Sequence, residues 1–334
     1  MGPKVSVIIV NWNGRHFLRR CLLSLTNQTY PNVEIILVDN ASTDGSAEEA
    51  EAAFPHVRFV RNASNLGFAA GCNAGIDAAT GDLLATLNND AEAAEDWVSW
   101  LVEAVASDPN VGMAASKMVF HQWPNIINST GIVLDKAGIA WDRHGGRADD
   151  ESEVEPIEIF GPCAGAALYK RELLEDVGLF DEDFFMYLED VDLAWRARLR
   201  GWKCLYVPRA RVLHLHSASS KEGSPFKNHL LGRNKVLTII KNYPSPAIFV
   251  FLPVILFYDL ASLPYSVLVR GNVSSLRGRI AGLMTLGSAL RKRRQIQKTR
   301  TCSFKELAAV LEPLENPLAV LRRYRHLQAL LNYR

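Results

Sequence analysis

Two hydrophobic patterns alternate along the first 117 residues. Short apolar runs rich in β-branched residues predict buried strands, and apolar residues at helical spacing predict amphipathic helices between them. The predicted strands are Val5–Val10, Glu34–Val38, Val57–Arg61, Leu83–Leu87 and Val111–Lys117. The predicted helices are Arg15–Asn27, Ser46–Phe54, Phe68–Ala79 and Ala94–Ser107. This alternation predicts an α/β fold with a mostly parallel central sheet covered by helices on both faces.

Polar side chains follow four of these strands where each strand ends. Asn11, Asp39, Asn65 and Asp90 come after the first, second, third and fourth strands. Ligands of open α/β sheets collect outside the carboxyl ends of the strands, so these residues predict a nucleotide pocket. The first strand runs into Asn-Trp-Asn-Gly and lacks the GxGxxG turn of dinucleotide-binding dehydrogenases.

The stretch Leu83–Asp90, LLATLNND, takes a buried strand directly into two amides and a carboxylate. The Asp90 carboxylate is a hard oxygen donor of the kind that holds Mg²⁺ or Mn²⁺ together with substrate phosphates. A polar turn with a helix cap is the alternative interpretation. His214 and His216 alternate on a later predicted strand, and a histidine can complete a metal site built around Asp90.

A glycine-rich segment, Asn65–Gly75, opens the third predicted helix. Exposed backbone N–H groups at a helix start favour anions, and glycine lets the chain approach a ligand closely. Close packing of this helix on the sheet explains Gly71 and Gly75 equally well.

The second informative stretch is Phe180–Arg200, in which aromatic residues lead into Glu189, Asp190 and a helix. Asp190 among aromatic side chains is a candidate general base for an acceptor hydroxyl. A structural explanation is complete on its own: acids are favoured at a helix N-terminus, and Asp192 with Arg196 forms an i,i+4 ion pair.

The segments around that stretch are less regular. Asn125–Gly146 has the pattern of a hairpin-like insertion without an assignable role, and Ala148–Glu158 predicts an exposed acidic loop. Ile159–Lys170 predicts a strand whose small residues, Gly165 among them, leave room for a ligand. Two further strands are predicted at Trp202–Val207 and Ala210–Leu215.

Composition narrows the class of protein. The chain has 334 residues, 48% of them hydrophobic, which is enough for a large core and an appendage. A formal net charge of +1 argues against a general nucleic-acid binder. Five scattered cysteines without a CxxC pair fit a reducing compartment. No signal peptide precedes the first strand, so we expect the N-terminal domain to stay in the cytoplasm.

The chain changes character after Tyr243. Ala247–Val269 is almost wholly apolar, but Asp259 near its centre would cost roughly 2.5–3.5 kcal/mol in a membrane span. Basic residues flank the segment on both sides, which favours a re-entrant or interfacial helix pair over a single crossing. Ile280–Lys292 is amphipathic, and Arg291–Arg294 suits anionic lipid. A buried helical hairpin that closes the catalytic domain is the alternative.

Six motifs occur in an order that resembles the inverting family-two glycosyltransferases of the GT-A fold, and among them the bacterial rhamnosyltransferase-type enzymes. The motifs are VSVIIVNWNG, ILVDNASTDGS, NLGFAAGCNAGI, LATLNNDAE, FFMYLEDVDLAWRARLRGW and VLHLHSASS. The resemblance covers about Val5–Lys241. It implies a catalytic domain over 1–241 and a helical, membrane-associated region over 242–334.

The resemblance implies roles residue by residue. Asp39 would contact the nucleotide base, Asp90 matches the last acid of the DxD metal motif with Asn88 in place of the first, and Asp190 is the base. His214 matches the histidine near the diphosphate, His216 less so. The QxxRW motif of processive synthases is absent, which implies addition of one or a few sugars. The implied set is Val10, Asn11, Asp39, Asn65, Gly71, Asn88 and Asn89 for the nucleotide sugar, Asp90 and His214 for the metal, Asp190 for catalysis, and Glu189, Gly165 and Arg196 for acceptor contact or support.

The expected function is transfer of a sugar, L-rhamnose by resemblance, from a nucleotide-diphosphate donor such as dTDP-rhamnose. The expected acceptor is a polyprenyl-diphosphate-linked saccharide in cell-surface polysaccharide (O-antigen) synthesis, at the cytoplasmic face of the inner membrane and in contact with its lipid. Mg²⁺ or Mn²⁺ is the expected cofactor, with no nucleic-acid partner. A sugar-nucleotidyltransferase and a non-catalytic membrane-bound scaffold are the alternatives.

Overall fold

The structure is a computed structural model that describes residues 2–215, 223–245, 247–264 and 272–316, together with residues 319, 320, 322, 323 and 325. His216 and residues 217–222, which form most of the predicted polar loop Ser217–Ser224, lie outside the described residues. The end of the apolar run, residues 265–269, also lies outside them.

One large sheet organises the described part of the chain, in the order β10-β12-β6-β11-β4-β1-β2-β3. Strands β1, β2, β3, β4, β6 and β12 run in one direction, whereas β11 and β10 run in the other. The predicted mostly parallel sheet is therefore confirmed. The strands are β1 Val5–Asn11, β2 Val33–Asp39, β3 Arg58–Arg61, β4 Leu83–Leu87, β5 Ala91–Ala93, β6 Val111–Phe120, β7 Ile127–Ser129, β8 Ile132–Leu134, β9 Ala140–Asp142, β10 Ile157–Ile159, β11 Ala166–Lys170 and β12 Lys203–His214.

Helices cover both faces of this sheet, and two apolar cores result. One core lies under α3, α5 and α6, and the other lies under α1, α2 and α4. The helices are α1 Leu18–Thr26, α2 Ser46–Ala53, α3 Gly67–Ala78, α4 Trp97–Ala106, α5 Arg171–Val177, α6 Glu189–Leu199, α7 Pro225–Asn242, α8 Ala247–Pro264, α9 Ser274–Met284, α10 Leu286–Thr299 and α11 Phe304–Ala309.

The predicted strand Ile159–Lys170 is wrong as a single strand. The chain forms β10 at the sheet edge, leaves it at Phe160, and returns as β11 between β4 and β6. Pro162 has no backbone N–H to donate to a ladder, which separates the two strands. The resulting loop, residues 160–165, contributes to the site described below.

The last strand was predicted as two pieces but is continuous. β12 spans Lys203–His214 with a register shift between Val207 and Arg211, where Pro208 interrupts the pairing with β6. The short edge strand β5 directly follows Asp90 and was not predicted, because three residues are too few for a periodic signal. As a result α4 starts at Trp97 and not at Ala94.

The insertion over Asn125–Gly146 contains the predicted hairpin, formed by β8 and β9, and adds β7 to the edge of β6. The Ala148–Glu158 segment that follows is exposed, as predicted, at all positions except Asp149 and Glu153. The Asp149 side chain is only 6% exposed and accepts hydrogen bonds from the Lys117 ammonium at 2.9 and 3.1 Å. An acid predicted as a surface residue thus fixes the loop to β6.

The C-terminal helices pack against the catalytic core through α7. Glycines permit a close crossing of α7 and α9: a Cβ at Gly278 would lie 2.0 Å from the carbonyl oxygen of His229. The Asp259 carboxylate on α8 pairs with Lys235 on α7 at 3.0 Å and with Arg279 on α9 at 2.7 Å. A charge that is costly in lipid is thereby used to hold three helices together.

One expectation for this region needs correction. The predicted amphipathic helix Ile280–Lys292 is two helices, α9 and α10, separated at Thr285. Among the described residues, no helix combines the length and apolar character needed to cross a bilayer.

Candidate active site

Asn11 is the centre of a side-chain network at the carboxyl end of β1. Its amide nitrogen donates to Asp39 at 3.2 Å, while its amide oxygen accepts from Asn89 at 3.0 Å. Asp39 also accepts from the backbone N–H of Ser42 at 3.1 Å and is 4% exposed. The predicted meeting of residues that follow β1, β2 and β4 is therefore observed. Asp39 keeps lone pairs for a further donor, although its assignment to the nucleotide base stays a prediction.

Asp90 and His214 meet at the neighbouring strand ends. The carboxylate Oδ1 of Asp90 lies 3.1 Å from Nε2 of His214, and both side chains are buried. Asn88 contacts the same nitrogen at 3.2 Å through Nδ2. The other ring nitrogen, Nδ1, is 2.8 Å from Oδ1 of Asn128, which fixes the orientation of the ring. Three residues predicted separately for the diphosphate end of the donor thus form one cluster.

The chemistry of this cluster fits a divalent cation that shares its ligands with a substrate. Among the described residues, no group of three or more His, Cys, Asp or Glu side chains could hold a metal alone. Mg²⁺ is commonly bound by one or two carboxylates plus substrate phosphates, and imidazole also suits first-row metals. An Asn128 oxygen behind the histidine is the outer-shell partner that metal-binding imidazoles usually have.

The glycine-rich segment reaches the site through Asn40 and Asn65. The amide of Asn40 donates to the Gly67 carbonyl at 2.9 Å, and Asn65 accepts from the Gly67 N–H at 2.9 Å. A Cβ at Gly71 would lie 2.7 Å from Cγ1 of Val10, so Gly71 allows α3 to pack on β1. Packing therefore explains Gly71, and its contact with the donor stays a prediction, as does that of Val10.

Asp190 lies in the first turn of α6, in a recess formed with residues 163–165. Its Oδ2 accepts from the backbone N–H of Ala164 at 3.2 Å, and Oδ1 accepts from the N–H of Val191 at 2.8 Å. Burial raises the pKa of Asp190 to about 6, against these two hydrogen bonds and with a smaller contribution from Asp142. A carboxyl with a pKa near neutrality, partly open to solvent, has the properties of a general base.

Glu189 points away from solvent beside Asp190. It is 5% exposed, and its Oε2 has no hydrogen-bond partner among the residues that the structure describes. Burial, followed by the Asp190 charge, raises the pKa of Glu189 well above its usual range. The two adjacent carboxyl groups therefore differ: burial favours the protonated form of Glu189, whereas Asp190 accepts two backbone N–H groups that favour its ionised form.

One loop connects Asp190 to the cluster of Asn88, Asp90 and His214. Ala164 donates its N–H to Asp190, whereas the next residue, Gly165, accepts at its carbonyl from the N–H of Asn88 at 2.9 Å. A Cβ at Gly165 would lie 3.0 Å from Nδ2 of Asn88. The consecutive residues Ala164 and Gly165, in the loop that follows β10, thus link Asp190 to Asn88, which lies two positions before Asp90.

Arg196 is not part of this arrangement. It donates to Asp192 at 2.9 Å and to the carbonyls of Val177, Gly178 and Leu179 at 2.6–2.8 Å. These contacts fix the turn after α5 against the first turn of α6. Of the residues assigned to acceptor contact or support, Arg196 is positioned for support, and the Asp192–Arg196 ion pair is confirmed.

Sequence reasoning missed two contributors to the site. Asn128 comes from the insertion that had no assigned role, and the Ala164 N–H is a backbone group in a segment predicted as a strand. An asparagine in an irregular insertion and a backbone donor in a misassigned loop carry no sequence signal of their own.

The mostly parallel sheet, with Asp90 directly after β4 and Asp190 on α6 connected to Asn88 through residues 164 and 165, is the arrangement expected of nucleotide-sugar transferases with a GT-A-like fold. Comparison with known proteins agrees. The family described as "Glycosyl transferase family 2" matches residues 6–178. The chain belongs to this family and is a glycosyltransferase.

Two bacterial proteins are similar to this chain in sequence. The chain is 31% identical over 269 residues to an N-acetylglucosaminyl-diphospho-decaprenol L-rhamnosyltransferase of Mycobacterium tuberculosis, covering 70% of this chain and 83% of the relative. It is 30% identical over 233 residues to the O-antigen biosynthesis protein RfbC of Myxococcus xanthus, covering 66% of this chain and 18% of that protein.

Solved structures support the fold. A structure of GalNAc-T7 with UDP, GalNAc and Mn²⁺ aligns with a TM-score of 0.60 and 20% identity, covering 84% of this chain and 54% of that one. The mannosyltransferase PcManGT from Pyrobaculum calidifontis, with GDP-Man and Mn²⁺, aligns with a TM-score of 0.55 and 19% identity, covering 92% of this chain and 86% of that one.

Proposed function

We propose that this protein is an inverting, metal-dependent glycosyltransferase that moves L-rhamnose from dTDP-rhamnose to a polyprenyl-diphosphate-linked saccharide. The reaction would serve cell-surface polysaccharide synthesis. The observation that carries the proposal is the loop of residues 164 and 165, which joins Asp190 to Asn88 beside Asp90 and His214. The activity for which the mycobacterial relative is named supports the donor sugar and the lipid-linked acceptor.

Each side chain has a stated part in the proposed reaction. Asp190 removes the proton from an acceptor hydroxyl, and the hydroxyl oxygen attacks the anomeric carbon from the side opposite the diphosphate. Configuration inverts because there is a single displacement. Asp90 and His214 would hold Mg²⁺ or Mn²⁺, which supplies charge neutralisation at the leaving diphosphate when bound. The Mn²⁺ in both aligned structures supports a divalent cation at this position.

Glu189 contributes through its burial. A second ionised carboxylate beside Asp190 would raise the pKa of the proposed base still further. Burial raises the pKa of Glu189 and so opposes its ionisation, which favours ionisation of Asp190 in its place.

The proposal includes attachment at the cytoplasmic face of the inner membrane, peripheral or monotopic, through the region over 242–334. Large apolar side chains on α8 and α9 are exposed, namely Phe249, Val250, Phe257, Leu260, Ile280, Leu283 and Met284. Arg291 and Arg294 on α10 are also exposed and suit anionic headgroups. Their neighbours Lys292 and Arg293 bind within the protein, to Asp181 and to the Tyr243 carbonyl, so only part of the basic cluster is available to lipid.

The two alternatives are less well supported. A sugar-nucleotidyltransferase would need a basic glycine-rich loop after β1. The residues after β1 are Trp12-Asn13-Gly14, and Asn13 there is hydrogen-bonded to Ser42 and to the N–H of Thr43. A non-catalytic scaffold would have no use for a carboxyl whose pKa lies near 6.

A donor panel tests the proposed function. The full-length chain is incubated with nucleotide sugars, a polyprenyl-diphosphate-linked N-acetylglucosamine acceptor, and Mn²⁺, Mg²⁺ or EDTA. We expect transfer from dTDP-rhamnose, loss of transfer in EDTA, and an inverted anomeric configuration by NMR. Transfer only from another donor would reject the sugar assignment, and formation of a nucleotide sugar from a sugar phosphate would reject the reaction class.

A further inference from the structure

The loop that leads into Asp190 has an unusual backbone. Phe185 adopts φ 63° and ψ −65°, and the N–H of Met186 donates to the Phe184 carbonyl at 2.8 Å, which together make a γ-turn of the strained form. Tyr187 and Leu188 follow with φ of 69° and 64°. Three non-glycine residues in left-handed conformations cost about 1–3 kcal/mol each, and such loops persist only where surrounding contacts hold them.

The side chain of Asn234 supplies several of the contacts that stabilise this loop. The amide of Asn234 on α7 donates to the carbonyls of Phe184 at 3.0 Å, Met186 at 2.9 Å and Tyr187 at 2.7 Å. Its own oxygen accepts from Nε of Arg233 at 2.9 Å. Asn234 is fully buried. Two N–H hydrogens shared among three carbonyls lock their orientation, because no water can replace the donor there.

Charged contacts reinforce the same connection. Lys241 on α7 is buried and binds Asp181 and Asp192, while Lys292 on α10 binds Asp181 at 2.5 Å and Asp183 at 2.6 Å. The Phe184 ring packs with Leu237 on α7 and Ala289 on α10. Helices α7 and α10 therefore contact both ends of residues 181–188, which we call the acidic loop.

The opposite side of the loop contacts the predicted donor segment. The Phe185 carbonyl accepts from the N–H of Ala69 at 3.1 Å, and a Cβ at Gly67 would lie 2.4 Å from that carbonyl oxygen. The acidic loop is thus enclosed between the start of α3 and α7, and α6 begins directly after it. Small changes in the loop pass to Asp190 because only Leu188 and Glu189 separate it from Tyr187.

We infer that Asn234 is a positioning residue for catalysis, which holds the strained 184–188 backbone so that Asp190 faces the acceptor hydroxyl. This inference rests on the proposed role of Asp190 as the base. It assigns to α7, which carries Asn234, a function in the chemistry of the site.

The test compares Asn234→Leu with Asn242→Leu in the full-length chain. Asn242 is the matched control: it lies on the same helix, is equally buried, and donates to Asp192 at 2.7 Å without contacting the 184–188 carbonyls. For Asn234→Leu we expect kcat to fall roughly a hundredfold, as a misplaced catalytic group does, with donor affinity unchanged. The acidic limb of the kcat/KM profile should move to higher pH, because Asp190 loses the Ala164 and Val191 hydrogen bonds that lower its pKa.

Hydrogen–deuterium exchange gives a readout that does not need the donor. Exchange over residues 182–190 should rise in Asn234→Leu and stay at the wild-type level in Asn242→Leu. Asn234→Ser, which retains one donor, replaces the leucine variant if that does not fold, and should give an intermediate rise.

The inference is overturned if exchange over this segment is unchanged in the Asn234 variants. It is also overturned if Asn242→Leu lowers kcat as much as Asn234→Leu does. If the wild-type chain transfers no sugar from any donor, the proposed function fails, and the exchange comparison still decides whether Asn234 holds the loop.

Discussion

The two acids of the site are held in opposite ways. Asp90 sits at the end of a parallel strand, among side chains that follow β1, β4 and β12, and its surroundings are set by the sheet itself. Asp190 follows a strained loop that is stabilised by α7 and α10, elements that come 35 to 110 residues later in the chain. The half of the site around Asp90 is therefore built by regular secondary structure, and the half around Asp190 is built by tertiary contacts with the C-terminal helices.

This difference has an energetic consequence. Strand ends are fixed by ladder hydrogen bonds and two apolar cores, so single side-chain losses there should change binding more than folding. The acidic loop has no ladder and depends on a few buried polar contacts, each of which leaves an unsatisfied group when removed. The following predictions test that contrast, beginning with the largest effect.

Asp190→Asn should lower kcat by about 10²–10⁴, the usual contribution of a general base, with donor affinity retained. Transfer kinetics and calorimetry with donor check the two parts. Asp142→Asn is the control, since Asp142 influences Asp190 only through its charge and should leave kcat near the wild-type value. Near-normal transfer by Asp190→Asn would assign the base to another residue.

Lys241→Met should destabilise the fold by about 3 kcal/mol, because it removes the cation from a buried group that contains Asp181 and Asp192. Urea unfolding at pH 7 measures the loss. Lys292→Met, whose side chain is 35% exposed, should cost less. Equal losses in the two variants would mean that burial of Lys241 adds nothing to the hold on the acidic loop.

Asp90→Asn should weaken Mn²⁺-dependent donor binding at least about tenfold, as loss of groups around a metal commonly does, while unfolding stability changes little. Calorimetry with donor in Mn²⁺ and in EDTA separates metal-dependent from metal-independent affinity. Glu92→Gln, two residues further along on β5, is the matched control and should bind as wild type. If both variants bind alike in Mn²⁺, Asp90 is not a metal ligand.

The smallest effect concerns pH and stability. The folded-state pKa of Asp190, about 6, lies above its usual value of 3.8, so the folded protein binds this proton more tightly than the unfolded chain does. The resulting stabilisation is present below the unfolded pKa and is lost as pH rises through about 6. Asp190→Asn cannot titrate, so its Tm relative to wild type should be higher at pH 8 than at pH 5. A constant difference between these pH values would show that burial does not perturb Asp190.

The same contrast decides what could be predicted from sequence. Apolar, β-branched composition predicts the strands at Val5–Val10 and Leu83–Leu87. Because the strands are parallel, their carboxyl ends bring Asn11, Asp39 and Asp90 to one edge of the sheet. By contrast, nothing near Asp190 in the sequence indicates that Asn234 supports it. Pro162, which has no N–H to donate to a strand ladder, indicates in the sequence that Ile159–Lys170 is not one strand and that a loop carries Ala164.

The C-terminal region shows a second limit. In the sequence, Asp259 argues against a plain membrane crossing. Its partners Lys235 and Arg279 could not be identified there, because helices that pack through glycine contacts leave no periodic signal for their crossing point. The basic run Arg291–Arg294 looked uniform in sequence. In the structure Lys292 binds the acidic loop, Arg293 binds carbonyls at the end of α7, and only Arg291 and Arg294 are exposed.

The adjacent residues Ala164 and Gly165 have one further consequence. The N–H of Ala164 donates to Asp190, and the carbonyl of Gly165 accepts from Asn88, two positions before Asp90. A rotation of this short segment therefore cannot move one of these contacts while the other stays still. A displacement of Asn88 would reach Asp190 through two neighbouring residues, which couples the two halves of the site.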